Sequence, residues 1–379
     1  GPDRLRHVEG YPSDRPSLED NKRREDAIVS NKAVSIGGMQ IGGTSAVRVE
    51  SMLKTPLRDV TGCLAEMNNL AESGCELVRV AFPDPCFARE IETLAAKAKI
   101  PLMADIHFNP DLAELALRAG IPAIRLNPGN MGSPERLKEI LRLAAEKNTV
   151  IRIGANGGSL SSSQIAESSG DRAMALVRAV EAQLNFMRKN GFEHIILSAK
   201  STSVKETVRA NTILSGRYPY PLHIGITEAG PGMGGIVKSA VGIGILLSQG
   251  IGDTIRVSLT GPSLDEVKTG YSILNALGIR TKGVNIVSCP TCGRRRVDVQ
   301  ALVTRLLPNL PKLPDGFKLA VMGCEVNGPR EAADADLGIS GTPDGFIVFS
   351  HGKPVATART DNLEEVLRAI LGTVIAETD

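Results

Sequence analysis

Short apolar runs alternate with stretches of helical periodicity along most of the chain. The runs are AVRVESM (46–52), LVRVAF (77–82), PLMADIHF (101–108), AIRLNPG (123–129), VIRIGAN (150–156), HIILSAK (194–200), PLHIGITEAG (221–230) and TIRVSLTG (254–261). Between them, segments such as DVTGCLAEMNNLAESG, SPERLKEILRLAAEKN and SAVGIGILLSQG carry the periodicity of a helix with one buried face. Strands separated by helices pair in parallel, because parallel neighbours need a crossover connection. Eight such units predict a (β/α)8 TIM barrel over residues 31–280 rather than an open doubly wound sheet. No GxGxxG follows the first run, which also argues against a dinucleotide-binding fold.

The same runs carry polar residues where a barrel interior should be apolar. Side chains two apart in a strand share a face. Asp105 pairs with His107 in this way, Arg125 with Asn127, Ser198 with Lys200, and Arg256 with Ser258; Arg152 and Asn156, four apart, also share a side. Arg79 lies within its strand and Glu228 closes the seventh. The paired residues sit toward the C-terminal ends of their strands, where barrel enzymes place their chemistry. Each inward charge costs desolvation unless something pairs with it. Five cations (Arg79, Arg125, Arg152, Lys200, Arg256) stand against two anions, Asp105 and Glu228. The excess calls for a bound anion, and the planar guanidinium fork suits phosphate oxygens. The Gly-rich GPGMGG (230–235), ahead of a helix, could add backbone N–H donors. A phosphorylated or diphosphorylated small molecule is the expected ligand.

Beyond residue 284 the pattern changes. VNIVSCP and GFKLAVMGC are strand-like, VDVQALVTRLLPNL is helical, DLGIS, GFIVFS and KPVATAR are further short strands, and LEEVLRAILGTVIAE is a closing helix. This predicts a smaller α+β domain over residues 285–379, joined to the barrel by the short LGIRTKG segment. It contains Cys289 and Cys292 as a CxxC pair in CPTCGRRRVDV, with Cys324 further on in MGCEVNGPREA. A Cys3His zinc site would draw on His351, a thioredoxin-like pair would leave Cys324 idle, and an iron–sulfur cluster would use all three thiols. In the last reading Glu331, seven residues past Cys324, reaches the remaining iron if NGPR turns back.

Composition narrows the alternatives. The 379 residues are 42% hydrophobic and 23% charged, with a net charge of +2, only 3% aromatic residues and no Trp, so neither a basic face nor a stacking platform for nucleic acid is expected. No run reaches the roughly 18 apolar residues of a membrane span, and no apolar stretch reads as a secretory signal, so a cytoplasmic location is expected. Cys63, Cys75 and Cys86 lack ligand spacing and read as incidental thiols of a reduced compartment. Gly1-Pro2 resembles a protease-cleavage scar, and the charged, Pro-rich residues 1–30 are expected to form a mobile N-terminal arm.

Seven motifs in one order (ADIHF, IRLNPGN, IRIGANGGSL, HIGITEAG, GIGDTIRVSLT, SCPTCGR and MGCEVNGPREA) closely resemble the bacterial 4-hydroxy-3-methylbut-2-enyl diphosphate synthases of the non-mevalonate isoprenoid pathway, from about residue 33 onward. The resemblance implies a two-domain form: a TIM barrel, then a domain like part of sulfite reductase with a [4Fe–4S] cluster on Cys289, Cys292, Cys324 and Glu331. It implies reductive ring opening of 2-C-methyl-D-erythritol 2,4-cyclodiphosphate, with two electrons and loss of water. A flavodoxin or ferredoxin would donate the electrons, and a head-to-tail homodimer would bring one chain's cluster to its partner's barrel. Arg79, His107, Arg125, Asn127, Arg152, Asn156, Lys200, Arg256 and Ser258 would then bind substrate, with Glu228 as proton donor supported by Asp105. Two departures stand out: Arg330 replaces the family's usual Gly before Glu331, and SMLKTPLRD differs from the family's SMTNT. One rival is a sugar-phosphate lyase or aldolase using Lys200 as a Schiff-base nucleophile beside a structural zinc domain. The other is a non-catalytic iron–sulfur carrier.

Overall fold

A computed structural model describes residues 32–107, 109–127, 133–310, 312–325 and 332–376. The chain divides into two compact units, the first running to Gly270 and the second beginning at Tyr271.

The first unit opens with a hairpin the sequence pattern did not reveal, β1 (Val34–Ile36) and β2 (Met39–Ile41). Gly37 and Gly38 make the turn at φ 55° and 88°, the double left-handed conformation that matches strand twist. Val34, Ile36 and Ile41 pack on Leu77, Met103, Ala123, Val150 and Ile196, closing the N-terminal end of the barrel with apolar side chains.

All eight expected barrel strands form. They are β3 (Arg48–Met52), β4 (Leu77–Ala81), β5 (Leu102–Asp105), β6 (Ala123–Arg125), β7 (Val150–Asn156), β8 (Ile195–Lys200), β9 (His223–Ile224) and, after the short β10 (Gly230–Pro231), β11 (Thr254–Ile255). Around the barrel the order is β8-β7-β6-β5-β4-β3-β11-β9, every pairing parallel, and a Leu197–Leu222 bridge joins the two ends. The helices cover the outside as their periodicity predicts. In Pro134–Glu146, for example, Ser133 caps the first turn, Pro occupies the first position, and Leu137, Ile140, Leu141 and Ala144 form the buried face.

Register sets the level of the polar residues. Asp105 lies beside Arg125 and Arg125 beside Arg152 across three neighbouring strands, while Asn156 lies beside Lys200. Two glycines let strands approach closely here. A Cβ at Gly154 would stand 2.3 Å from the Ser198 carbonyl oxygen, and one at Gly225 would stand 2.4 Å from that of Arg256.

The second unit is a five-stranded mixed sheet in the order β13-β14-β15-β16-β17: β13 (Asn285–Ser288), β14 (Lys318–Met322), β15 (Leu337–Thr342), β16 (Gly345–Ser350) and β17 (Lys353–Ala358), with β12 (Leu259–Thr260) belonging to the first unit beside β10. The first three are parallel and the last three antiparallel. Helices Val299–Leu306 and Leu363–Ala376 contribute Val299, Leu302, Leu306, Leu363, Leu367 and Leu371 to one core face; Ala320, Met322 and Phe349 pack on the other.

Candidate active site

At the C-terminal end of the barrel lies a cavity of about 600 Å³, counting the space open at its mouth. Its lining includes Arg79, Asp105, His107, Arg125, Arg152, Asn156, Ser198, Lys200, Arg256 and Ser258, ten of the twelve barrel positions singled out from sequence. Asn127 and Glu228 are not in the lining. Glu228 is exposed, next to the lining residue Thr227, and its φ of 48° is a left-handed conformation that a side chain of its size rarely adopts. The glycine run from 230 does not line the cavity either; it forms β10 and the first turn of helix Gly232–Ser248.

The charge arrangement differs from the expected one. The expected count set Asp105 and Glu228 against the five cations; in the structure the carboxylates that face those cations are Asp105, Glu50 and Glu266. Glu50, on β3, is fully buried, and both its oxygens accept from Arg152 Nη1 at 2.8 Å. Its Oε1 also lies 3.1 Å from His223 Nε2. Lys200 Nζ stands 2.6 Å from that same Nε2, and His223 Nδ1 is 2.8 Å from Thr254 Oγ1. Glu266 lies 3.6 Å from Arg256 and also accepts from Lys54 and Ser51. Glu50, His223, Thr254 and Glu266 were therefore missed from sequence, although Glu50 and His223 lie inside runs already read as strands.

Asp105 sits among Arg79 at 3.5 Å, Arg125 at 3.4 Å and His107 at 3.5 Å. Burial pushes its carboxyl up, but the His107 hydrogen bond and the two guanidinium charges outweigh it and hold Asp105 well below the usual carboxylate range. It is an acceptor placed between two arginines. Burial, then the Arg152 and Arg79 charges, push the Lys200 ammonium well below its ordinary value. Burial and the Arg152 and Lys200 charges do the same to His223. Arg125 and Arg256 are pulled down first by burial.

Three guanidinium nitrogens in this set are buried without a hydrogen-bond partner: Arg79 Nε, Arg152 Nη2 and Arg256 Nε. Leaving a buried donor unsatisfied costs about 1–3 kcal/mol each. A cavity with several such donors and an excess of positive charge fits an anion with several oxygens.

In the second unit, Ser288 and Val321 are register partners on adjacent parallel strands, so Cys289 and Cys324 follow neighbouring strand ends. Cys289 is half-buried, packs against the apolar side chains of both core faces, and its Sγ accepts the Gly323 N–H at 3.1 Å. Cys292 is exposed on the loop between. Thr291, between the two cysteines of the CxxC pair, is β-branched yet at φ 57°, a conformation that costs about 1 kcal/mol or more. Neighbouring thiols with an N–H···S donor fit an iron–sulfur group, whose sulfurs commonly accept backbone N–H bonds. Among the described residues no three His, Cys, Asp or Glu side chains are grouped closely enough to hold one metal ion. Glu331 and Arg330 lie outside the described residues.

His351 follows the end of β16, and its N–H bonds to the Ala335 carbonyl just before β15. Because β15 runs parallel to β13 and β14, that is the opposite end of the sheet from Cys289 and Cys324. A Cys3His site is excluded by this topology.

Comparison with known proteins agrees with this architecture. The family model described as the GcpE TIM-barrel domain matches residues 31–271, and that of the GcpE protein C-terminal domain matches residues 285–373. Relatives include the 4-hydroxy-3-methylbut-2-en-1-yl diphosphate synthase (flavodoxin) of Thermodesulfovibrio yellowstonii, 42% identical over 346 residues, 91% of this chain and 98% of that one. The protein of the same name from Geobacter sulfurreducens is 41% identical over 346 residues, again 91% and 98% of the two chains. The chain therefore belongs to the GcpE family.

Proposed function

We propose that the protein is a 4-hydroxy-3-methylbut-2-enyl diphosphate synthase that reductively opens the ring of 2-C-methyl-D-erythritol 2,4-cyclodiphosphate. The observation that carries this reading is the set of unsatisfied guanidinium donors around the barrel cavity, in a chain whose relatives bear that name. The reaction takes in two electrons and one proton and releases water. The diphosphate, held in a ring at first, leaves the ring carbon with one more negative charge. Arg79, Arg125, Arg152 and Arg256 hold the phosphoryl oxygens and stabilise the added charge, with Lys200, His107, Asn156 and Ser258 completing the lining. Asn127 follows the strand that carries Arg125 and is assigned to the same shell.

Asp105 fixes Arg79 and Arg125 against motion as charge shifts. Glu228, on the loop beside Thr227, is the candidate donor of the proton that leaves with the hydroxyl. Cys289, Cys292 and Cys324, with Glu331 as fourth ligand, would hold a [4Fe–4S] cluster, which supplies electrons one at a time. The relatives' names support flavodoxin as the donor. We assign the barrel to residues 31–280 and the cluster domain to 285–379, in a cytoplasmic homodimer. The described residues contain no helix long and apolar enough to cross a membrane.

The test is Glu228→Gln in anaerobically prepared enzyme. The cluster's visible absorbance should persist while turnover collapses; full turnover would remove Glu228 from the mechanism. Iron and labile sulfide are measured on the same sample, and zinc in their place would end the reading. The lyase or aldolase alternative draws support from the depressed Lys200 amine, which suits imine formation. Borohydride trapping of a carbonyl substrate at Lys200 would decide for it.

A further inference from the structure

The loop that follows the CxxC pair carries three consecutive arginines, Arg294, Arg295 and Arg296, all exposed. Its backbone is tied to both cysteine segments: Arg295 N–H donates to the Cys292 carbonyl at 3.0 Å, and Arg296 N–H donates to the Gly323 carbonyl, next to Cys324, at 2.7 Å. The arginine run is therefore tied through its backbone to both cysteine segments. Two carboxylates lie close by, and both are engaged. Glu325 lies 3.8 Å from Arg296, and Asp298 caps helix Val299–Leu306 by accepting the Ala301 N–H at 3.0 Å. Arg294 and Arg295 are thus adjacent exposed cations with no carboxylate partner among the described residues, a surface that complementary negative charge on a partner would suit.

Their position supplies a role. Cys289 is packed into apolar side chains from both faces of the sheet, so protein insulates that side of the thiol site. Cys292, in contrast, is exposed on the same loop as the arginines. The exposed side of the thiol site therefore shares its loop with the three arginines.

We infer that Arg294, Arg295 and Arg296 form the docking surface for an acidic one-electron carrier protein of the flavodoxin class. The inference rests on the proposed function and names the partner's point of entry. Each encounter oxidises the flavodoxin by one electron, and two encounters supply the pair that ring opening consumes. Complementary charge acts mainly on the encounter rate, where steering is worth roughly 10- to 1,000-fold and falls as salt shortens its range to about 8 Å at physiological ionic strength.

The test compares wild-type holoenzyme, R294E/R295E and R294K/R295K. Binding of oxidised flavodoxin is titrated at low and physiological salt, and turnover is measured with reduced flavodoxin and with reduced methyl viologen. The charge-reversed variant should bind flavodoxin at least about tenfold more weakly at low salt and lose most of its salt dependence. Its KM for flavodoxin should rise in step, with viologen-driven turnover and cluster absorbance unchanged. The lysine variant, which keeps the charge, should stay close to wild type. Unchanged flavodoxin affinity in R294E/R295E overturns the inference. So does a raised KM for the cyclic diphosphate with an unaltered donor KM, which would make the run a substrate contact. If wild-type enzyme fails to turn over even with viologen, the functional reading fails, and the binding titration still decides the docking surface.

Discussion

Glu50→Gln is the most informative single change, because Glu50 is the buried carboxylate that Arg152 and His223 share. Glu50 is 1% exposed and both its oxygens meet Arg152 Nη1 at 2.8 Å. At that separation and an effective dielectric of 20, the attraction is about 6 kcal/mol. An amide keeps one acceptor oxygen but loses the charge, leaving Arg152 buried beside Lys200, His223 and Arg79 without an anion. Removing one partner of a buried pair typically costs about 3–5 kcal/mol. For a barrel unit of this size each kcal/mol shifts Tm by about 2–4 °C, so the expected fall is about 6–20 °C. Urea or thermal unfolding of the apoprotein reads this directly. A second arm isolates the cause: Glu50→Gln with Arg152→Met removes the stranded charge and should recover much of the loss, a coupling of more than about 1 kcal/mol in a double-mutant cycle. The folded fraction of Glu50→Gln should also bind pyrophosphate more tightly, because the cavity has lost an anion. A loss under about 0.5 kcal/mol, or strict additivity in the cycle, would refute the claim that the Glu50 charge balances the barrel floor.

Three further outcomes follow from the same geometry. Asp105 has a folded-state pKa below its unfolded value, so its contribution to stability is present above about pH 4 and fades as pH falls through the folded value. Asp105→Asn should flatten that acid limb in pH-dependent denaturation while lowering stability at pH 7. Lys200 is depressed in the free pocket, and a bound anion favours its protonated form. Binding of the cyclic diphosphate should therefore take up protons, measured by calorimetry in buffers of different ionisation enthalpy. Affinity should weaken as pH rises through the free-pocket value, and Lys200→Met should reduce the uptake, any remainder falling to His223, which is depressed by the same surroundings. Gly225→Ala would put a Cβ 2.4 Å from the Arg256 carbonyl and 3.5 Å from Lys200 Nζ. Overpacking of this kind costs about 1–3 kcal/mol, and substrate KM should rise with it.

The barrel strands were legible because each presents a run of buried apolar residues between helical stretches, a pattern that survives even where the strand is only two residues long, as at His223–Ile224 and Thr254–Ile255. The cavity cations were legible because a charge inside such a run has few structural explanations. The Glu50 network was not. AVRVESM contains Arg48, Glu50 and Met52 on one side, and sequence alone does not separate Arg48, which pairs with Glu76, from Glu50, which turns into the barrel. His223 and Thr254 come together only because β9 and β11 are neighbours in register, although they are 31 positions apart in the chain. The Gly37-Gly38 hairpin was missed because its strands are three residues long and precede the first barrel run. His351 looked available as a ligand until the antiparallel turn placed it at the far end of the sheet.

The unsatisfied guanidinium nitrogens connect the fold to catalysis. Each of Arg79 Nε, Arg152 Nη2 and Arg256 Nε raises the free energy of the ligand-free barrel, and a phosphoryl oxygen is the partner we propose for them. Stabilisation that is equal for substrate and transition state would lower KM without speeding the chemistry. Ring opening breaks this equality, because the diphosphate gains a negative charge as its bond to carbon is lost. A fixed array of cations stabilises the more highly charged species more strongly, and the array is preorganised, since Glu50, Asp105 and Glu266 lie against the arginines before substrate arrives. The three carboxylates thus serve to keep the cations charged and aimed without neutralising all of them. It follows that neutralising Arg79 or Arg256 should lower kcat more than it raises KM, whereas loss of a lining hydroxyl such as Ser258 should act mainly on KM.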